Sequence, residues 1–165
     1  MSLPMSKSLR EQFIDSWRQN INRMDESNKL RTYNKFKKNF HMENYILCCP
    51  PEQRKHFAKL RISAHRLAIE TGRYTRPKTP LDERICTLCS LNKIENEFHM
   101  IMECPFYKCE RDKFIIELEK IINVTFTPDN DMFYDIMNAY DGDPEICKLV
   151  CAYVDACFQL RPLKT

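Results

Sequence analysis

Glycine is scarce in this chain, and its scarcity limits the folds that the chain can adopt. Only Gly72 and Gly142 occur among 165 residues. Hairpin-rich sandwiches and barrels need more glycine for their tight turns, and so do the loops that cradle phosphates in nucleotide-binding enzymes. The length suits one compact domain or two small ones. We therefore expect a mainly α-helical protein.

Apolar residues recur at helical spacing along most of the chain, which predicts a series of amphipathic helices. The predicted helices cover 7–23, 30–40, 51–72, 111–122, a short stretch that begins at Asp129 or Asn130, and 144–160. The Asp143-Pro144 pair combines a capping side chain with a first-turn proline, and Gly72 suits a helix end. This pattern divides the chain into a helical N-terminal region (1–78), an exposed linker (79–84), a small knuckle (85–107) and a C-terminal helical region (108–165) that packs on the knuckle.

The net charge of +3 hides a strong asymmetry. Residues 29–78 contain 13 lysines and arginines against three glutamates, whereas residues 79–165 contain nine basic and 16 acidic groups. A basic middle favours an anionic partner, or else a contact between the basic and acidic parts of the chain itself.

The cysteines carry the clearest chemical signal. Cys86 and Cys89 form a Cys-x2-Cys pair, and His99 and Cys104 follow at a spacing typical of zinc knuckles. Three thiolates and one imidazole would fill a tetrahedral zinc site and leave no position open for water, so we predict structural Zn²⁺ rather than a catalytic metal. Two alternatives stay open: Cys109 replaces His99 as the fourth ligand, or these cysteines are simply reduced and buried.

Zinc would also supply folding free energy to a knuckle that has few apolar residues of its own. The nine cysteines are an odd number, and no signal peptide or transmembrane stretch accompanies them. These features predict reduced thiols in an intracellular protein, nuclear or cytoplasmic, with no membrane contact.

Several runs of residues, in order, carry a resemblance to a known family. They are Lys29-Leu30-Arg31-Thr32-Tyr33, Phe36-Lys37, Leu60-Arg61-Ile62-Ser63-Ala64-His65, Glu70-Thr71-Gly72-Arg73-Tyr74, Arg84-Ile85-Cys86-Thr87-Leu88-Cys89 and Glu95-Asn96-Glu97-Phe98-His99, the last leading to Cys104-Pro105. Together they resemble the C-terminal zinc-binding region of reverse transcriptases from animal non-LTR retrotransposons, which also occurs in free-standing or truncated invertebrate proteins. The resemblance spans about residues 9–161. It implies that Cys86, Cys89, His99 and Cys104 bind zinc, and that the region engages nucleic acid beside a polymerase.

The polymerase active site itself is absent from this sequence. Two-metal polymerase chemistry needs paired aspartates, and the chain contains no Asp-Asp pair. The run Tyr153-Val154-Asp155-Ala156 is superficially similar, but it lacks the second carboxylate and lies in a helical pattern.

A small nuclease is the catalytic alternative. It would need His41, His56 or His65 paired with carboxylates, or an open metal position. We therefore expect no enzymatic activity.

Residues 29–78, the basic segment, provide the leading functional hypothesis. It is binding of RNA or DNA mainly through phosphates, without sequence readout and without a small-molecule substrate. The candidate contacts are the basic residues of the middle segment: Lys29, Arg31, Lys35, Lys37, Lys38, Arg54, Lys55, Lys59, Arg61, Arg66, Arg73, Arg76 and Lys78. The alternative is a protein-interaction scaffold whose basic face is masked by the acidic half, through Glu95, Glu97, Asp129, Asp131 and Asp135.

Overall fold

A computed structural model of the chain describes residues 8–23, 30, 32–37 and 39–162. Within these ranges the regular structure is helical, apart from one isolated antiparallel bridge between Ile85 and Ile94. The expected mainly α fold is confirmed. No helix in the described ranges is long and apolar enough to cross a membrane.

The α-helices are named in chain order. They are α1 (Leu9–Ile21), α2 (Tyr33–Phe36), α3 (Asn44–Cys48), α4 (Pro51–Arg61), α5 (Ala68–Thr71), α6 (Lys108–Ile122), α7 (Asn130–Met137), α8 (Ala139–Gly142) and α9 (Pro144–Leu160). Short 3-10 turns cover Leu81–Glu83 and Pro105–Tyr107, and a π-helical turn covers His99–Glu103.

Side-chain caps fix the starts of three helices. Ser8 forms a reciprocal capping box with Glu11 at the start of α1. The Asp129 side chain accepts the Met132 N–H at the start of α7, and Asp143 caps α9, whose first residue is a proline. The helix starts predicted at Asp129 and at the Asp143-Pro144 pair are thus confirmed.

Helix α9 is the centre of the core, because α3, α4 and α6 all pack against it. Its buried stripe includes Val150, Val154 and Cys157, which are fully buried. The ring of Phe114 in α6 stacks on Tyr153 with centroids 4.5 Å apart. Helices from both ends of the chain therefore share one hydrophobic core.

Two predicted helices are shorter than expected. The helix predicted over 30–40 is helical only at Tyr33–Phe36 among its described residues, because Lys37 turns to extended backbone and its ammonium points inward. The helix predicted over 51–72 breaks after Arg61, where Ser63 takes a left-handed φ of 51°. Asp141 and Gly142 form the end of the short helix α8.

The segment predicted as a linker is exposed at Leu81–Glu83 but anchored at Arg84. The buried Arg84 guanidinium donates to the Thr79 carbonyl at 3.0 and 2.9 Å and to the Ile69 carbonyl at 2.8 Å. Gly72 allows this approach, since a Cβ there would lie 2.8 Å from the Arg84 side chain. The segment is therefore tied to the end of α5.

Candidate metal centre and basic segment

A small hairpin presents the first two candidate ligands. The Cys86 N–H donates to the Lys93 carbonyl at 2.9 Å, and the Glu95 N–H donates to the Arg84 carbonyl at 2.9 Å. These two bonds close the chain around the turn that contains Cys89. Both thiols therefore lie on one side of a tight loop.

The π-helical turn returns the other two ligands. The His99 N–H is capped by the Asn96 side-chain oxygen at 2.8 Å. At the other end of the turn, the Cys104 N–H donates to the His99 carbonyl at 2.8 Å. Pro105 follows at once and starts the 3-10 turn that leads into α6.

The four predicted ligand side chains meet at one point. The sulfur atoms of Cys86, Cys89 and Cys104 and a ring nitrogen of His99 all lie within 4.8 Å of one another. Cys86 Sγ is 3.9 Å from Cys104 Sγ, and Cys89 Sγ is 3.4 Å from His99 Nε2. A tetrahedral site with Zn–S bonds of about 2.3 Å has sulfur–sulfur edges of about 3.8 Å. The cluster is therefore close enough to hold a metal ion, and its shape suits tetrahedral coordination.

Of the two candidates for the fourth ligand, His99 is in the cluster. Its side chain is almost fully buried, whereas Cys109 is exposed on the first turn of α6. Among the described residues, the group of possible metal ligands contains His99 and not Cys109.

A carboxylate orients the histidine. His99 Nδ1 lies 3.3 Å from Glu103 Oε2, and Glu103 Oε1 accepts a bond of 2.6 Å from Lys93 Nζ. Burial opposes ionisation of Glu103, yet the bonds from Lys93 and His99 hold the pKa of this carboxyl below its usual range. An ionised Glu103 would accept the Nδ1 proton and leave Nε2 for a metal, an arrangement common around histidine ligands.

Two thiols of the cluster, those of Cys86 and Cys104, are buried and desolvated. Burial raises the pKa of Cys86 to about 12 and raises that of Cys104 as well. Without a cation both groups stay protonated at neutral pH, whereas a bound metal favours the thiolates. Binding of a metal by this cluster would therefore release the thiol protons of Cys86 and Cys104.

A buried ion pair that the sequence did not reveal connects the metal centre to α9. Arg161 donates to both oxygens of Glu95, at 2.6 and 2.8 Å, and also to the Tyr107 hydroxyl at 3.2 Å. Glu95 in turn accepts the Ala68 N–H at 2.7 Å. The sequence analysis placed Glu95 among the acids that could mask the basic face and did not pair it with Arg161. The partners are 66 residues apart, and no local pattern marks such a pair.

The thirteen residues predicted to contact phosphates differ in their exposure to solvent. Lys29, Arg31 and Lys38 lie outside the described residues. Arg54 and Arg73 are half-buried and bonded to the Ile46 carbonyl and the Glu70 carboxylate, respectively. The exposed members are Lys35, Lys55, Lys59, Arg66, Arg76 and Lys78.

The predicted phosphate contacts of Lys37 and Arg61 need correction, because both side chains are buried, with exposures of 4% and 1%. Glu43 Oε1 accepts from Lys37 Nζ at 2.9 Å, from Arg61 at 3.0 Å and from the Tyr33 hydroxyl at 3.1 Å. The Arg61 guanidinium also lies 4.6 Å from the centre of the Phe36 ring. The expectation that these two cations contact phosphates is wrong, because they form part of the core.

Three of the five acids proposed to mask the basic face are engaged elsewhere. Glu95 pairs with Arg161, Glu97 accepts from Ser63 and His65 at 3.0 and 2.9 Å, and Asp129 caps α7. Asp131 and Asp135 are exposed on α7.

Of the three histidines named for the nuclease alternative, His56 and His65 have carboxylate partners that sequence reasoning missed. His56 Nδ1 lies 2.7 Å from Asp155 Oδ1, and the His56 ring stacks on Phe158, so this pair joins α4 to α9. His65 is buried against Glu97. The His56–Asp155 partners are 99 residues apart, and only the folded chain brings them together.

Comparison with known proteins gives no relative from which a function can be transferred. No protein-family model matches the chain, and searches of curated proteins and of solved structures give no significant match. The functional argument therefore depends on the residues and their geometry.

Proposed function

We propose that this protein is a non-catalytic, zinc-containing nucleic-acid-binding module, similar to the C-terminal region of non-LTR retrotransposon reverse transcriptases. The cluster of Cys86, Cys89, His99 and Cys104 is the observation that supports it most directly. Three soft thiolates and an imidazole at tetrahedral distances favour zinc over metals that prefer oxygen ligands. Because the protein itself provides four ligands, the zinc is structural.

Metal analysis tests the zinc proposal. Protein purified under reducing conditions is expected to contain one zinc per chain, and the Cys86→Ser and His99→Ala variants are expected to lose most of it. Cys109→Ser is the matched control, because it removes an exposed cysteine close to the cluster. The cobalt-substituted protein should show the spectrum of three thiolates and one nitrogen, unchanged in Cys109→Ser. Full zinc content in His99→Ala, or zinc loss in Cys109→Ser, would contradict this ligand set.

The exposed part of the basic segment supports the nucleic-acid proposal. Six described lysines and arginines of the segment are exposed, and Lys55 and Lys59 lie four residues apart on the outer face of α4. Residues at this spacing are neighbours on a helix, so both ammonium groups can follow one phosphate backbone. Such contacts fix the protein on the backbone without reading base sequence.

Salt dependence tests this proposal quantitatively. Contact with about six phosphates gives a slope of about −5 in a plot of log affinity against log salt. The Lys55→Glu/Lys59→Glu double variant should bind more weakly, and the slope should become less steep by about two because two phosphate contacts are lost. The control is Lys113→Glu/Lys120→Glu, which makes the same charge change at exposed positions of α6. A slope near zero, or equal losses in both double variants, would contradict the proposal.

The alternative is a protein-interaction scaffold with a structural zinc. The burial of Lys37 and Arg61 favours it, because two of the expected cations are used inside the protein. A salt slope near zero, combined with full zinc content, is the result expected of the scaffold.

A further inference from the structure

A cavity of about 340 Å³ lies where four parts of the chain meet. Its walls come from the start of α2, from Ile69 of α5, from Asn96, Glu97 and Phe98 just before His99, and from α7. Ligand cavities have volumes of about 300–1,000 Å³, so this one suits a single small group rather than a folded segment. The basic segment and the metal-bearing segment both contribute to it.

Aromatic side chains form one side of the cavity. Phe98 meets Phe133 edge to face, with ring centroids 5.4 Å apart, and Tyr134 lies beside Phe133 at 5.6 Å. Phe133 is buried, whereas Phe98 and Tyr134 are only partly buried and line the cavity. Partly exposed rings supply surfaces on which an unpaired base can stack.

Two amide side chains add hydrogen-bonding capacity. Asn96 uses its oxygen to accept the His99 N–H at 2.8 Å, which fixes the amide and leaves its nitrogen as a donor. Asn130, the first residue of α7, is exposed and also lines the cavity. Amides of this kind pair with the edges of bases that are not already paired.

One cationic side chain also lines the cavity. Lys35 is exposed on α2 and also lines the cavity. An ammonium beside an aromatic and amide pocket matches the phosphate, the ring and the polar edge of one nucleotide.

We propose that this cavity holds one unpaired nucleotide of a single-stranded nucleic acid. The base stacks on Phe98 and Tyr134, Asn96 and Asn130 contact its edge, and Lys35 contacts a neighbouring phosphate. The inference rests on the proposed nucleic-acid function and specifies its substrate class. In a duplex the bases are stacked on one another and are not available to such a pocket.

Binding measurements with Tyr134→Leu test the proposal. The substitution keeps an apolar side chain but removes the aromatic face. We expect it to weaken binding of a single-stranded oligouridine about tenfold, the size of one base–aromatic stack, with less than a twofold effect on duplex DNA. Tyr74→Leu is the control, because Tyr74 is an exposed aromatic of the basic segment outside the cavity. Equal losses in the two variants would overturn the assignment.

Photocrosslinking of the unaltered protein provides a second test that does not depend on a variant's folding. An oligonucleotide carrying 5-iodouridine should crosslink to peptides that contain Phe98 or Tyr134. Crosslinks confined to other peptides, with a normal salt slope, would overturn the cavity assignment and leave the proposed function intact. The absence of binding to any nucleic acid would overturn both.

Discussion

At the scale of single residues, Glu43 holds a buried polar cluster together. One of its oxygens pairs with two buried cations, Lys37 and Arg61, and accepts a hydrogen bond from the Tyr33 hydroxyl. Burying a charge is tolerable only when a partner and hydrogen bonds compensate the lost water. The chain therefore depends on one carboxylate to keep two cations inside the core.

The Glu43→Gln variant should lower the free energy of unfolding by about 3 kcal/mol, because it leaves two buried cations without a countercharge. Urea denaturation at neutral pH measures this change. The control is Asp112→Asn, which breaks an exposed pair with Lys108 and should cost less than about 1 kcal/mol. Equal effects of the two substitutions would show that the Glu43 cluster is not a significant source of stability.

Buried thiols give the protein a predictable alkaline sensitivity. Burial raises the pKa of Cys49 from the ordinary 9.0 to about 11 and that of Cys147 to about 12. The folded state therefore holds protons that the unfolded state releases, so this contribution is complete below pH 9 and is lost as the pH rises toward 11. We expect the free energy of unfolding to fall over this range. The fall should be smaller in Cys49→Ala and unchanged in Cys109→Ala, whose thiol is exposed. Stability that rises above pH 9 would contradict this explanation.

At the scale of elements, local chemistry decided which predictions succeeded. The last helix was predictable because its apolar stripe, its Asp143 cap and its first-turn proline all lie within or next to it. The cluster of four candidate metal ligands was predictable from their spacing. The break after Arg61 was not, because Ser63 and His65 are held by Glu97, more than 30 residues away. The Glu95–Arg161 pair was hidden for the same reason, since its contacts exist only in the folded chain.

Helix α9 should be sensitive to its N-cap. The Asp143 side chain accepts the N–H groups of Glu145 and Ile146 at 2.8 and 3.1 Å. Asp143→Ala should lower the free energy of unfolding by about 1 kcal/mol, because it leaves both donors without this acceptor. Because α9 is the centre of the core, the whole denaturation transition should shift rather than split. A second, separate transition would contradict this view of α9. Lys148→Ala, an exposed change on the same helix, is the control.

At the scale of the whole molecule, the segment that carries the candidate metal ligands connects the two helical regions. Glu97 holds Ser63 and His65 on the N-terminal side, and the Tyr153 hydroxyl of α9 donates to the Ile101 carbonyl at 2.8 Å. The Arg161–Glu95 pair adds a second contact with the end of α9. Loss of the metal should therefore lower the stability of helices that lie far from its ligands.

Zinc removal by a chelator under reducing conditions should lower the melting temperature of the whole protein, and added zinc should restore it in proportion to the logarithm of free zinc. The reason is that the proposed zinc would bind the native state through a site that the unfolded chain does not possess. Hydrogen exchange locates the effect. We expect faster exchange in residues 85–104, and also in α9 around Tyr153, where the Ile101 bond ends. Tyr153→Phe removes the hydroxyl that makes this bond, whereas the Arg161–Glu95 contact remains, so the variant should weaken the coupling of α9 to the metal without lowering zinc content. If α9 stays fully protected after zinc removal, the metal stabilises only its own loop.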